Sequence, residues 1–265
     1  MRVFAFRGLL ILIIAAFSIC LYKIIIIRNT YVHEEQVHNL VLEFAPLEAA
    51  ENRYDDDTAA AGESDGLDRD NQDAASSRPN DSILDAQRKI NQDIKAWIRV
   101  PNTYIDYPVV QSADCSFYLD HDVFKKKAAA GSLFIDSRNR GGFIDFNTII
   151  YGHNMKNGTM FGNLENFGNK TYFKNNPAGQ LFLADRTYNL EIFAYLKVKQ
   201  DDSFIYGTIS SVNLNEYIGY IKNRALNFNS DIQLESGDHI VTLSTCTKDY
   251  TDSRIVVLAK LKGID

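Results

Sequence analysis

Cys246 closes the apolar run HIVTLSTC and Arg254 opens the next one, RIVVLAKL, with seven polar residues between them. Two strands joined by so short a polar segment form a hairpin, which brings Cys246 and Arg254 side by side at one end of a sheet. The chemistry open to that pair is nucleophilic. A thiolate is the attacking species, and a neighbouring cation lowers a thiol pKa from its free value of about 8.5. A guanidinium also offers fixed donors to a developing oxyanion. The pair lacks a proton shuttle, and five histidines are available. His33 and His38 lie in a polar segment near the N-terminus, His239 starts a strand, and His121 sits in the loop-like YLDHD. His153 follows NTIIYG, where a strand runs out at a glycine and the side chain can face a cleft.

Positioning these residues requires a β framework, and from residue 82 onward the chain reads as one. Short β-rich runs recur: WIRV, TYIDYPVVQ, SLFID, NTIIYG, GQLFLA, YNLEIFAYLKV, HIVTLSTC and RIVVLAKL, separated by Gly-, Asn- and Asp-rich turns. Eight short strands with few long helical patterns predict a mainly β, closed eight-stranded barrel with an N-terminal helix and helical insertions. The N-terminal helix is read from Ile83, Gln87, Ile90, Ile94 and Trp97, which fall at helical spacing behind a capping stretch, Asn80–Ser82. A short helical interruption is expected near Thr159–Phe167. A longer one starts at Asn213, with Glu216 three residues on and an apolar face of Leu214, Tyr217, Ile218, Ile221 and Ala225.

Ahead of the barrel the texture differs. Leu9 to Ile27 is nineteen residues broken by one charge, Lys23, close to the roughly 20 that cross a hydrocarbon core. Arg2 and Arg7 precede it, which places residues 1–8 in the cytoplasm and 9–27 as a single transmembrane anchor. No A-x-A-like site follows the run, so it reads as uncleaved. Residues 28–81 read as an extracytoplasmic stalk, whose part 31–42 can prolong the helix. Residues 43–82 hold 12 Asp/Glu against 3 Lys/Arg and few branched apolar residues, a composition too polar to offset its ordering entropy. The net charge of −6 belongs to this stretch, and no basic surface offers itself to nucleic acid. Hydrophobic residues at 45% suffice for a core in 82–265, and three cysteines, an odd number, rule out a disulfide-stapled scaffold and leave at least one thiol free.

TLSTC followed eight positions on by Arg254, with YGHNM upstream, resembles the sortases, the cysteine transpeptidases of Gram-positive cell surfaces. The similarity spans most of residues 90–262. IDYPVVQ, a YL-containing helix, GSLFIDSRN, NTIIYGHNM–GTMF and the helix at 213–226 are most similar to class B sortases. The resemblance implies Cys246 as nucleophile, His153 as general acid/base and Arg254 as the oxyanion and substrate-positioning residue. It implies cleavage of a C-terminal sorting signal after Thr in secreted surface proteins. The acyl group then passes to an amine of a peptidoglycan precursor or a pilin, at the outer face of the cell membrane and with no metal or organic cofactor.

Two positions depart from the class B pattern. An acidic residue is common two places after the nucleophile, whereas this chain has Lys248 there and Asp249 one further on. The segment DCSFYL resembles a family stretch DNxYYL whose Asn and Leu line the substrate groove. Cys115 stands where the Asn would be, and Leu119 keeps its place. Ser244 and Thr245, beside the nucleophile, are equally consistent with substrate contact and with strand packing. Arg254 has a plainer reading as a surface partner of Asp249 or Asp252, an interaction worth little. His121 between Asp120 and Asp122 is no metal site, since three adjacent side chains cannot all face one ion. Asp136-Ser-Arg-Asn-Arg-Gly fails as a calcium loop because Arg138 and Arg140 occupy ligand places. Two other function classes remain: a cysteine hydrolase with water as acceptor, and a non-catalytic receptor on a stalk, which has no need of the Cys–His–Arg trio.

Overall fold

Strands β1 (Ile94–Arg99), β2 (Asp106–Val110), β3 (Leu133–Ile135), β4 (Asn147–Tyr151), β5 (Ala178–Phe182), β6 (Thr187–Lys199), β7 (Asn227–Phe228), β8 (Ile240–Cys246) and β9 (Ser253–Gly263) form one sheet in the order β5-β1-β2-β3-β4-β8-β9-β6-β7. A further β5–β6 ladder, Ala178 opposite Glu191 through Phe182 opposite Thr187, closes eight of them into a barrel. The two-residue β7 hangs on the outside of β6. The computed structural model describes residues 2–46, 84–207, 213–246 and 252–264. The acidic composition of 47–83, the helix-capping stretch Asn80–Ser82 and the pair Lys248–Asp249 lie outside the described residues.

Each of the eight β-rich runs read from the sequence is a barrel strand. The alternation of side chains across a strand explains the core. On β9, Ile255, Val257, Ala259 and Leu261 point into the barrel with Ala96, Ile98, Val109, Ile150, Val241 and Leu243. Its intervening residues Val256 and Leu258 pack outward with Ile149, Leu196, Tyr217 and Ile221. That second layer lies under the helix Leu214–Arg224, so β9 is covered on both faces, which is why it reads as an unbroken apolar run. The helix begins as expected: the Asn213 side chain accepts the Glu216 N–H at 3.3 Å.

One helical expectation is corrected and another is extended. The N-terminal helix of the barrel domain covers only Asp85–Ile90, and Asn91 leaves it in extended conformation. Ile94 and Trp97 belong to β1. Their helical spacing is overruled by pairing: Ala96 and Ile98 enter the barrel core while Trp97 donates its indole N–H to Asp106 at 2.7 Å across the hairpin. Near Thr159–Phe167 the expected short helical interruption is present as a 3-10 helix over Gly162–Gly168, and a helix over Lys170–Asn175 extends it.

The N-terminal residues form their own unit, dominated by a helix running from Arg2 to Leu42. Its stretch Leu12–Leu42 is long and apolar enough to cross a membrane by length and composition, and the side chains from Leu12 to Ile27 are exposed. The helix continues through 31–42, as the sequence allowed. At 1.5 Å per residue its 41 residues span roughly 60 Å, about twice a hydrocarbon core.

Candidate active site

Strand β8 joins its two neighbours differently. With β9 it forms an antiparallel ladder in which Cys246 lies opposite Arg254 and Thr245 opposite Ile255. With β4 it runs parallel, Tyr151 beside Ser244. All three strands therefore bring chemically capable residues to one end of the barrel: β8 ends at Cys246, β9 begins beside Arg254, and β4 gives way to Gly152 and His153. The hairpin read from the sequence is present in this register.

Cys115, Leu119, Phe134, Tyr151, Gly152, His153, Ser244, Thr245 and Arg254 line one open cleft of about 230 Å³. Six residues singled out in the sequence thus share it, and Cys246 directly follows Thr245 on the strand that floors it. Arg254 is half-buried; its Nη1 donates to the Ser253 carbonyl at 3.1 Å and its Nη2 to the Gln200 side chain at 3.0 Å. His153 directs Nε2 at the Leu119 carbonyl, 2.7 Å away. Its own carbonyl accepts the Phe161 N–H at 3.0 Å. Gly152 lets the chain turn there: a Cβ would lie 2.4 Å from a Leu133 methyl and 2.8 Å from the Phe161 ring. The other two histidines of the barrel domain are engaged with backbone carbonyls, His121 with Phe117 and His239 with Asp145, each at 2.8 Å.

Cys115 reaches the cleft from the loop after β2. Its sulfur accepts the Ser137 N–H at 3.2 Å and sits 3.3 Å from the Ser137 hydroxyl. Leu119, 45% exposed, presents a large apolar side chain to the same space. Ser244 is buried, and its hydroxyl shares a 2.8 Å hydrogen bond with the Tyr206 hydroxyl, so it braces the strand. Thr245 is equally buried, and its hydroxyl has no partner among the described residues.

Sequence reading did not single out the aromatic walls Phe134 and Tyr151, and it weighed the carboxylate behind them, Asp136, only as a failed calcium ligand. Tyr151 donates its hydroxyl to Asp136 at 3.0 Å, and Arg138 grips the same carboxylate through Nε at 2.9 Å and Nη2 at 2.7 Å. Burial pushes the Asp136 pKa up, but hydrogen bonds from Arg138 and Tyr151 outweigh it and hold the carboxyl below its usual range. Burial and this carboxylate push the Tyr151 hydroxyl well above the normal phenol value, so it stays a donor. The signal available was the run GSLFIDSRN itself, whose Asp and Arg are two apart at a strand end.

Comparison with known proteins covers this same region. A family model described as "Sortase domain" matches residues 98–262. Sortase B of Listeria monocytogenes is 37% identical over 195 residues, 71% of this chain and 79% of that protein. The X-ray structure of Clostridium perfringens sortase B is similar with a TM-score of 0.62 at 38% identity, covering 68% of this chain and 98% of that one. A Staphylococcus aureus sortase B–substrate complex gives a TM-score of 0.63 at 32% identity, covering 69% and 85%.

Proposed function

Because this chain belongs to the sortase family, whose members are cysteine transpeptidases, we propose that it cleaves a C-terminal sorting signal after Thr through a Cys246 thioester. The acyl group then passes to an amine of a cell-wall precursor or a pilin. In this reading the Cys246 thiolate attacks the Thr carbonyl, and the resulting oxyanion is met by the Arg254 guanidinium. The C–N bond breaks as His153 gives its proton to the leaving amine, which leaves the thioester. The acceptor amine then attacks, the thiolate departs, and His153 takes the amine proton.

The observation that carries this reading is the β8–β9 register, with Cys246 opposite Arg254, together with the cleft that Arg254 and His153 line jointly. Leu119 and Cys115 are the proposed contacts for the sorting-signal side chains. Thr245, whose buried hydroxyl has no partner among the described residues, is a proposed contact for the peptide backbone, while Ser244 acts as its structural neighbour. That a Staphylococcus aureus sortase B forms a complex with a substrate supports a substrate-binding role for this chain.

The proposed organisation is residues 1–8 in the cytoplasm, 9–27 in the membrane, 28–81 as an acidic stalk and 82–265 as the extracellular catalytic domain. Support comes from the exposed apolar helix and from Arg2 and Arg7 on its N-terminal side.

The test is a mass-spectrometric screen of the purified protein against a library of five-residue motif peptides, with and without a glycine oligomer or a diamino-acid peptide. Product carrying the added amine supports transfer. Free acid alone, whatever amine is supplied, replaces the transpeptidase reading with a hydrolase. No cleavage of any motif, or cleavage that survives Cys246→Ala, removes the proposed chemistry.

A further inference from the structure

The turn that lines the cleft also grips the proposed base. His153 Nε2 lies 2.7 Å from the main-chain oxygen of Leu119. A carbonyl oxygen only accepts, so Nε2 carries the hydrogen of that bond. This holds for the neutral ring, which then has its acceptor lone pair on Nδ1, and for the imidazolium, in which both nitrogens donate. We propose that the Leu119 carbonyl is the positioning group of His153: it keeps Nε2 a permanent donor and makes Nδ1 the nitrogen that gives and takes the proton during acyl transfer. The inference rests on the role given to His153 above and deepens it.

Both partners of the bond are held independently, which separates it from a chance contact between two mobile groups. On the Leu119 side, the Leu119 N–H closes the 3-10 turn on the Ser116 carbonyl at 3.2 Å, and Asp114 caps the N–H groups of Ser116 and Phe117 at 2.7 and 3.0 Å. Tyr118 is fully buried and donates its hydroxyl to Asp93 at 2.7 Å. Gly131 backs the turn with φ +58°, and a Cβ there would sit 2.4 Å from the Tyr118 oxygen and 2.7 Å from the Leu119 oxygen. Only glycine lets the two segments approach so closely. On the other side, the backbone of His153 is fixed by Phe161 and by the crowding at Gly152. The consequence is mechanistic. Leu119 offers its side chain to the cleft and its carbonyl to the base, so the segment that meets the peptide also orients the proton shuttle.

The test is nitrogen-15 NMR of the full-length protein in detergent micelles with labelled histidine, combined with two perturbations of the carbonyl. Gly131→Ala displaces it sterically. Replacing Asp120 by its α-hydroxy acid turns the Leu119 amide into an ester, whose carbonyl is a weaker acceptor while the side chain is unchanged. The wild-type ring, when neutral, is expected to be protonated at Nε2 and bare at Nδ1. The ester variant should show a mixture of tautomers and a kcat reduced on the order of 10-fold, with KM within about twofold, the pattern of a misoriented group acting in the transition state. If Gly131→Ala fails to fold, the ester variant alone decides. A neutral wild-type ring protonated at Nδ1 overturns the proposal, as does an ester variant with unchanged tautomer and kcat. Full activity in His153→Ala would instead remove the catalytic reading and leave the tautomer measurement standing by itself, so the two failures are distinguishable.

Discussion

At the scale of single residues, the site combines groups whose chemistry is visible in their type with groups visible only in three dimensions. Cys, His and Arg at the ends of three β-rich runs point to acyl transfer because a thiolate, a proton shuttle and a planar cation are what that reaction uses. The carbonyl that meets His153, the aromatic walls Phe134 and Tyr151, and the brace from Tyr206 to Ser244 are not legible that way, because backbone atoms and wall residues carry no signature in a one-dimensional pattern. Arg254 tests the reading most directly. Arg254→Lys keeps the charge and loses the fork, and one lost oxyanion donor costs on the order of 10²–10³-fold in kcat. Arg254→Ala should fall further, since it also removes the cation that favours the thiolate. Steady-state peptide cleavage on both purified variants checks the order, and an Arg254→Ala enzyme as fast as the Lys variant contradicts it. Cys115 makes a separable prediction. A serine there can keep the hydrogen bonds to Ser137, so Cys115→Ser should fold normally and alter motif preference through KM with kcat nearly unchanged. A collapse of kcat across all motifs would assign Cys115 to the chemistry.

At the scale of elements, legibility follows how many levels of the structure agree. The strands β4, β6, β8 and β9 are long or apolar on both faces, and pattern, turn residues and burial coincide there. Between Ile90 and Trp97 they conflict: helical spacing suggests one continuous helix, while the hairpin with β2 and the core positions of Ala96 and Ile98 convert its second half to strand. Two-residue β7 has too little sequence to register at all. The end of β3 illustrates a support that only packing reveals. Asp136 is buried, and its folded-state pKa is lowered, so its carboxylate contributes stability fully above the unfolded value of about 3.9. That contribution is lost as pH falls below the unfolded value and through the lower folded one. Asp136→Asn should therefore destabilise the protein at pH 7 by about 2 kcal/mol, in line with loss of charge-assisted hydrogen bonds. It should also lose less stability than wild type between pH 7 and pH 3. Urea titrations at several pH values measure both, and parallel pH profiles for the two proteins would show that Asp136 is not the group concerned.

At the scale of the whole molecule, composition changes along the chain in three stretches. The acidity is concentrated in residues 43–82, the apolar exposed helix lies before it, and residues 83–265 are nearly neutral, with 21 basic and 20 acidic side chains. Such a division predicts that the first 81 residues place the enzyme and contribute little to its fold. A hydrogen bond between described residues crosses the proposed boundary: the Gln87 side-chain amide donates to the Phe44 carbonyl, and Gln87 is 3% exposed. A protein starting at Ser82 loses that acceptor, and a single neutral hydrogen bond is worth about 1 kcal/mol. For a domain of this size that is a fall in Tm of about 2–4 °C. The truncated enzyme should consequently leave the membrane fraction, melt cooperatively within that margin of the full chain, and cleave peptide at near full rate. Replacing Gln87 by Leu in the truncated protein should recover part of the loss, because the orphaned amide is removed along with its unmet demand for a partner. Thermal melts and peptide turnover on the three proteins decide the matter. A truncated chain that aggregates or does not turn over would show residues 1–81 to be part of the catalytic fold, and a Tm loss far beyond the margin would place more of the stabilising contacts in that segment than the Gln87 bond supplies.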